Sequence, residues 1–414
     1  MRIRPFRGFR PLPQLAARVA LVPNGLLSDA RRRRAARNNP YSFAHVVKPK
    51  IDFPDDVPRA DDQLYAFARQ YFDKMVQEGI FLRDSTPCFY LYRSILPSHT
   101  QTGLICCLDI EDYDQHRVRR HENTRQDKEL ANERQITLTQ LNSYPVFLTH
   151  RPVEAIDQFL TQLAVQPPAY DFECESGWQQ QLWVISNSEA IEQLIQMYEL
   201  HVPVSYIADG HHRCAAASRF AATMRQRDQG QYLSRDHQFF LAALFSSNQL
   251  RIYDYNRIVK TLNGLDAPTF LQRVAERFEV SPAPRRPFRP TCPEEIGMFF
   301  DQTWYVLRVR PQWMPQDMVS RLSASLLQDL LLEPVLGIID PRSSKELDFV
   351  PGIQGLKELE RRVAKGKAAA AFSLFPVSME QLMAVSDANR IMPPKSTWFE
   401  PKLLSGLVVF KMEY

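Results

Sequence analysis

The residues able to do chemistry gather in three short segments. The first is Ala208-Asp209-Gly210-His211-His212-Arg213, which follows an apolar run and precedes an alanine-rich one, so a buried strand should end where a helix begins. A helix N-terminus leaves N–H groups without carbonyl partners at the positive end of the helix dipole, and such a corner binds phosphate or carboxylate. Gly210 permits a tight turn and close approach of an anion to the backbone. Arg213 can add a two-pronged contact to the same anion, and His211 or His212 can donate a hydrogen bond or move a proton. Asp209 could hold Mg2+ or orient a histidine. The plainer alternative is that Asp209 caps the helix and the histidines satisfy local carbonyls, yet four polar residues at one corner exceed what a cap requires.

The second segment is Arg119-Arg120-His121-Glu122-Asn123-Thr124-Arg125-Gln126-Asp127-Lys128-Glu129. A long charged helix is expected from Asp112 to about Gln135. On it, His121, Thr124, Arg125 and Lys128 recur at i, i+3, i+4 and i+7 and share a face. Glu122, on the flank, suits a general base or metal ligand, and Lys128 a phosphate contact. A solvated charged face is the competing reading. Arginine at position 125 rules out the H-E-x-x-H zinc pattern.

The third segment, Met392 to Lys402, reads MPPKSTWFEPK. Its prolines exclude a helix and leave a rigid loop presenting Lys395, Ser396 and Thr397, a clamp for an anion or substrate. Alternatively it is a structural loop pinned by Trp398 and Phe399. Neither G-x-x-x-x-G-K-[ST] nor G-x-G-x-x-G occurs. Cys214 follows the corner, where a thiol can acidify, although a small core residue is its commoner role.

The elements that must position these groups follow from periodicity. Residues 61 to 79 read as an amphipathic helix, CFYLYRSIL and TGLICCLDI as a hairpin, and PVFLTH as a strand. From about residue 181, LWVIS, SEAIEQLIQMYEL, PVSYIA, HHRCAAASRFAATMRQR and FFLAALF alternate strand with helix, which is the mark of an α/β layer with crossover helices. Asn39-Pro40 should break a basic helix at 29 to 37 and start a strand. Further helices are expected near 316 to 333 and from Met379, with strands at AAAAFSLF and LLSGLVVFK. The proline-rich PAPRRPFRP at 283 to 290 marks a boundary. Three regions result: 1–150, 151–282 and 283–414, each α/β with mixed sheets, α+β being the alternative class.

Composition limits the partners. Among 414 residues, Lys+Arg number 51 against 47 Asp+Glu, a formal net charge of +4, so nucleic acid is not the expected partner. No run of about 18 apolar residues occurs, and a membrane span is not expected. The arginine-rich opening is too broken by Pro5, Pro11 and Pro13 for a secretory signal. The six cysteines show no C-x-x-C spacing and read as reduced thiols of a cytoplasmic protein. Oligomeric state is not legible.

RPFRG at 4–8, NPYSF at 39–43, RRHENTRQDKE at 119–129, YIADGHHR at 206–213 and MPPKSTWFEPK at 392–402 resemble, in order and spacing, the successive signatures of domain-of-unknown-function family 1015. Two departures stand out: Val22-Pro23-Asn24-Gly25 replaces a Pro-Pro-Tyr-Asp segment, and Asn256-Arg257 replaces a His-Arg pair. The D-G-H-H-R corner also resembles the G-x-H-R turn of the ParB/sulfiredoxin-like superfamily, which includes free-serine kinases. That resemblance implies a ParB/sulfiredoxin-like core with Gly210, His212 and Arg213 on a nucleotide phosphate. Sulfiredoxin activity is not implied, since His211 stands where its cysteine would.

The expectation is therefore a phosphotransferase acting on a small hydroxyl compound, such as serine, with ATP, ADP or pyrophosphate as donor. Glu122, His212 and Asp209 would be catalytic, Asp209 holding Mg2+. Gly210, His211, Arg213, His121, Lys128, Lys395, Ser396 and Thr397 would bind phosphate or substrate. Two other readings are a nucleotide-gated binding module, and a metal-dependent hydrolase built on His121, Glu122, His211 and His212.

Overall fold

The computed structural model describes residues 1–22, 29–58, 61–97, 99–227 and 235–413. Pro23, Asn24 and Gly25 lie outside them. Backbone contacts group the chain into two compact units, residues 1–250 with 401–414, and residues 251–400.

The first unit is built on a nine-stranded sheet. Its strands in chain order are β1 (Ile3–Arg4), β2 (Phe89–Leu96), β3 (His99–Asp109), β4 (Val118–Arg119), β5 (Val146–His150), β6 (Tyr170–Glu173), β7 (Gln179–Ile185), β8 (Ser205–Asp209) and β9 (Phe239–Ser246). The spatial order is β4-β8-β5-β9-β3-β2-β7-β6, with β1 paired on β3. β2 and β3 form the expected hairpin. The sheet is mixed, since β9 runs parallel to β5 and antiparallel to β3. β9 is apolar along its length because it lies inside the sheet, where a strand covered on both faces needs no alternation.

Helices α1 (Asp62–Gln77), α2 (Gln126–Thr139), α3 (Glu154–Leu163), α4 (Ser188–His201) and α5 (His211–Arg227) belong to this unit. Cys214, Ala217 and Ala221 of α5 are buried in the same core as Leu104, Leu148, Ile207 and Leu244. Their small size lets that helix lie close against the sheet. NPYSF starts no strand. The chain there enters a short helical turn, Ala44–Val47, with Phe43 buried.

The long helix expected from Asp112 to Gln135 does not form. A short turn, Ile110–Asp114, ends where His116 takes φ +58 and Arg117 folds back on the fully buried Asp112, Nη2 to Oδ1 at 2.6 Å. Val118 and Arg119 then pair with Ser205 and Tyr206 as the edge strand β4. Residues 120–125 are loop, and α2 begins only at Gln126. Sheet pairing and a buried ion pair overrode helical spacing, so His121, Thr124, Arg125 and Lys128 do not share one helix face.

The second unit holds a six-stranded, wholly antiparallel sheet of β10 (Tyr255–Val259), β11 (Phe278–Pro282), β12 (Glu295–Phe300), β13 (Thr303–Val309), β14 (Leu347–Pro351) and β15 (Ala370–Ser373), in the order β11-β13-β12-β15-β10-β14. The proline-rich stretch 283–290 connects β11 to β12 inside this unit, so the boundaries expected near 150 and 282 are not those drawn by the contacts. The helix expected at 316–333 starts only at Ser323. Asp317 captures the Val319 and Ser320 N–H groups at 3.1 and 3.0 Å in a local turn that competes with helix. Among the described residues no helix is long and apolar enough to cross a membrane.

Candidate functional site

The corner forms where expected. β8 ends at Asp209, Gly210 takes φ +113, and the 17-residue helix α5 starts at His211. A Cβ on Gly210 would lie 2.9 Å from Arg213 Nη2, so both backbone angle and space call for glycine. Arg213 is heavily engaged. Its Nη1 donates to the carbonyls of Tyr144, at 3.0 Å, and Pro145, its Cζ stacks 3.9 Å over the Tyr144 ring, and its Nη2 stands 3.7 Å from Asp209 Oδ2.

A second cation completes the corner. Lys402 Nζ, 193 positions away in sequence, lies 3.1 Å from Asp209 Oδ2. Burial works against the Asp209 charge, but Lys402 and Arg213 outweigh it and hold the carboxyl well below the usual carboxylate range. It is ionised throughout the physiological range.

The loop carrying His121 and Glu122 is fastened to the start of α5. The His121 N–H reaches His211 Nε2 at 3.4 Å, and the Arg125 N–H donates to His212 Nε2 at 3.1 Å. Both imidazoles therefore accept at Nε2 and carry their proton on Nδ1. The rings of His121 and His211 meet edge to face at 4.5 Å between centroids. Burial pushes His121 down to about 4, against a small opposing pull from Asp209, and drives His211 well below its ordinary value. The two are neutral near pH 7. Glu122 is half-buried on this loop, whereas Lys128 is exposed on the first turn of α2.

Segments 119–129 and 209–213 thus come together through His121, Arg125, His211 and His212, by loop backbone and not by a shared helix face. The third segment is divided. Lys402 belongs to the first unit and stands at the corner, while Lys395, Ser396 and Thr397 belong to the second. There Lys395 is exposed with φ +58, and Ser396 Oγ donates to the Pro393 carbonyl at 2.7 Å. Sequence reasoning assigned no role to Lys402 or Tyr144. The lysine lay in plain view within the third segment, but only the fold reveals its partner.

The metal-hydrolase reading fails on geometry. His211 and His212 spend their Nε2 lone pairs on backbone N–H groups, and among the described residues no three His, Cys, Asp or Glu side chains gather as a metal site. At Asp209, Oδ2 faces Lys402 and Arg213, which leaves Oδ1 as the oxygen a Mg2+ ion could meet. Cys214 is buried and its thiol is pushed up to about 12 by desolvation, so it is a core residue. All six cysteines are free. At the Asn256 departure the amide is structural, its Nδ2 donating to Asp254 Oδ2 at 2.6 Å and its Oδ1 accepting from the Leu374 N–H at 3.0 Å.

The family model described as "Protein of unknown function (DUF1015)" matches residues 3–330, taking in the corner and the His121 loop. No curated protein matches the chain. Among solved structures, a free serine kinase in complex with AMP is similar at 13% identity, covering 71% of this chain and 86% of its own, with a TM-score of 0.37. A conserved hypothetical protein from Pyrococcus furiosus is similar at 12%, covering 75% and 95%, TM-score 0.38. SbnI with a C-terminal truncation, from Staphylococcus aureus, is similar at 11%, covering 72% and 85%, TM-score 0.39.

Proposed function

The chain belongs to the DUF1015 family, and from that premise we propose that it is a phosphotransferase whose phosphate cradle is the corner from Asp209 to Arg213. The observation that carries this reading is the 3.1 Å approach of Lys402 Nζ to Asp209 Oδ2 at the start of α5. It sets a cation beside the N-terminus of a long helix, with an arginine held rigid on the other side. Phosphoryl transfer asks mainly for such positioning and for positive charge around the transferring group.

In the reaction proposed, a hydroxyl oxygen of a small acceptor attacks the terminal phosphorus of ATP, ADP or pyrophosphate. Glu122 accepts the hydroxyl proton, the new O–P bond forms, and the bridging P–O bond breaks with its electrons going to the departing phosphate. The first-turn N–H groups of α5 and Lys402 neutralise charge on the phosphate oxygens, and Gly210 lets the backbone approach them. Arg213, anchored on Tyr144 and Pro145, holds the Tyr144–Pro145 segment against the corner and adds its charge to the cradle. His211 and His212 keep the Glu122 loop in register, and His211 acts as a neutral group, not as an imidazolium acid. Lys128, next to Arg125 in the first turn of α2, is assigned a peripheral phosphate contact. Any Mg2+ would arrive on the donor's phosphates, and no step is routed through it.

The resemblance of the D-G-H-H-R turn to the ParB/sulfiredoxin-like superfamily favours a core of that kind and free serine as the first acceptor to try. The experiment incubates the purified protein and Mg2+ with each of the three donors and L-serine, following 31P resonances. A new phosphomonoester signal supports the reading. Absence of donor turnover with a panel of small alcohols and hydroxy amino acids overturns it. Lys395, Ser396 and Thr397 are assigned an anion contact within the second unit.

A further inference from the structure

Arg257, on β10, is in no ion pair among the described residues. It is 4% exposed, and a guanidinium stays protonated in proteins. Its partners are neutral: Nη1 donates to the Tyr255 carbonyl, Nη2 donates to the Pro394 carbonyl at 3.2 Å, and Cζ lies 5.3 Å over the Phe349 ring. Two acids close to it in sequence or in the same loop are committed elsewhere. Asp254 Oδ1 pairs with Arg289 at 2.8 Å, and Glu400 Oε2 accepts from Trp398 Nε1 at 2.9 Å. A buried cation without a counter-charge is costly, and burial lowers this guanidinium to about 10.

A second cation stands one peptide away. The Pro394 carbonyl held by Arg257 belongs to the peptide bond that leads into Lys395, and Lys395 Nζ lies 5.8 Å over the ring of Tyr255, whose own carbonyl Arg257 also holds. Lys395 is in no ion pair among the described residues and adopts φ +58, a backbone conformation that non-glycine residues keep chiefly where the surroundings enforce it, as at ligand clamps. The guanidinium and the ammonium thus meet at one loop and one tyrosine, and among the described residues neither is in an ion pair.

We propose that Arg257 and Lys395 form an oxyanion-binding site in the second unit, which takes the phosphate or carboxylate group of a small ligand as the missing counter-charge. Arg257 supplies the remaining N–H donors of its planar fork, and Lys395 a mobile charge at the mouth. The proposal deepens the anion role assigned to the Lys395 loop and adds Arg257 to it. It stands whether or not the corner at Asp209 transfers phosphate.

The test is calorimetric titration of the full chain at low ionic strength, with inorganic phosphate in one arm and sodium acetate in the other, on wild type, Lys395→Ala, Arg257→Gln and Lys402→Ala. At least one anion should bind wild type, with affinity reduced about tenfold or more by Lys395→Ala and by Arg257→Gln, and unchanged at this site by Lys402→Ala. Which arm responds identifies the ligand group. Lys395 is exposed, so its variant reports even where Arg257→Gln fails to fold. Absence of binding in both arms, or equal binding by wild type and Lys395→Ala, overturns the proposal. Binding lost only in Lys402→Ala assigns the anion to the corner and likewise rejects this site.

Discussion

Lys402 Nζ lies 3.1 Å from Asp209 Oδ2, joining the end of the chain to the end of β8 across 193 positions of sequence. The lysine side chain is 15% exposed and the carboxylate 35%. The pair therefore keeps part of its attraction while Lys402 stays within reach of a ligand.

Lys402→Ala should remove that attraction and leave Asp209 with Arg213 at 3.7 Å. With allowance for solvent at the half-exposed carboxylate, the expected loss is about 1–2 kcal/mol of folding stability, read as a lower urea midpoint with unchanged slope. Phosphate-donor binding should weaken more than stability does. A variant with wild-type donor affinity would remove Lys402 from the cradle.

Gly210→Ala places a methyl group 2.9 Å from Arg213 Nη2 on a backbone at φ +113. It should cost about 1–3 kcal/mol and dislodge Arg213 from Tyr144. Thermal denaturation checks the first expectation, and loss of donor binding in protein that is still folded checks the second.

The buried His121 makes stability sensitive to acid. Its folded-state value is near 4, below the ordinary 6.5, so the unfolded chain takes up the proton first as pH falls. Its contribution is intact above about pH 6.5 and is lost progressively towards pH 4. His211, lowered for the same reason, adds to this slope. Asp209 acts in a lower window: its depressed carboxyl stabilises the fold above the ordinary carboxylate range, and that stabilisation disappears only as pH drops through its own lower value. Urea unfolding from pH 7 to pH 4 should show a decline that flattens in His121→Asn. An equal slope in both proteins would contradict the assignment.

Glu122→Gln should lower kcat by about 10²–10⁴-fold while the donor KM changes little, since the role proposed for Glu122 is at the acceptor and not at the phosphates. A variant with unchanged kcat would return Glu122 to the solvated surface.

Much of this arrangement was readable from residue order, for identifiable reasons. The strand-to-helix corner rests on an apolar run, a glycine and an alanine-rich helix, all local signals, and it formed as expected. The 119–129 segment has helical spacing too, but its fate was decided by Asp112 pairing with Arg117 and by Val118 pairing with Ser205, contacts no local window contains. Lys402 meeting Asp209, and Arg257 meeting the Pro394 carbonyl, are likewise products of tertiary pairing. The proline run at 283–290 suggested a border, because proline marks loops equally well inside a unit and between units.

The most direct test of the central claim is titration of the wild-type protein with pyrophosphate and with ADP, followed by amide NMR with assignments for His211, His212 and Arg213. Saturable shifts at those three N–H groups, abolished in Gly210→Ala and weakened in Lys402→Ala, are the result expected of a phosphate cradle. Amide signals at the corner that stay fixed while either ligand is raised to millimolar concentration would contradict it.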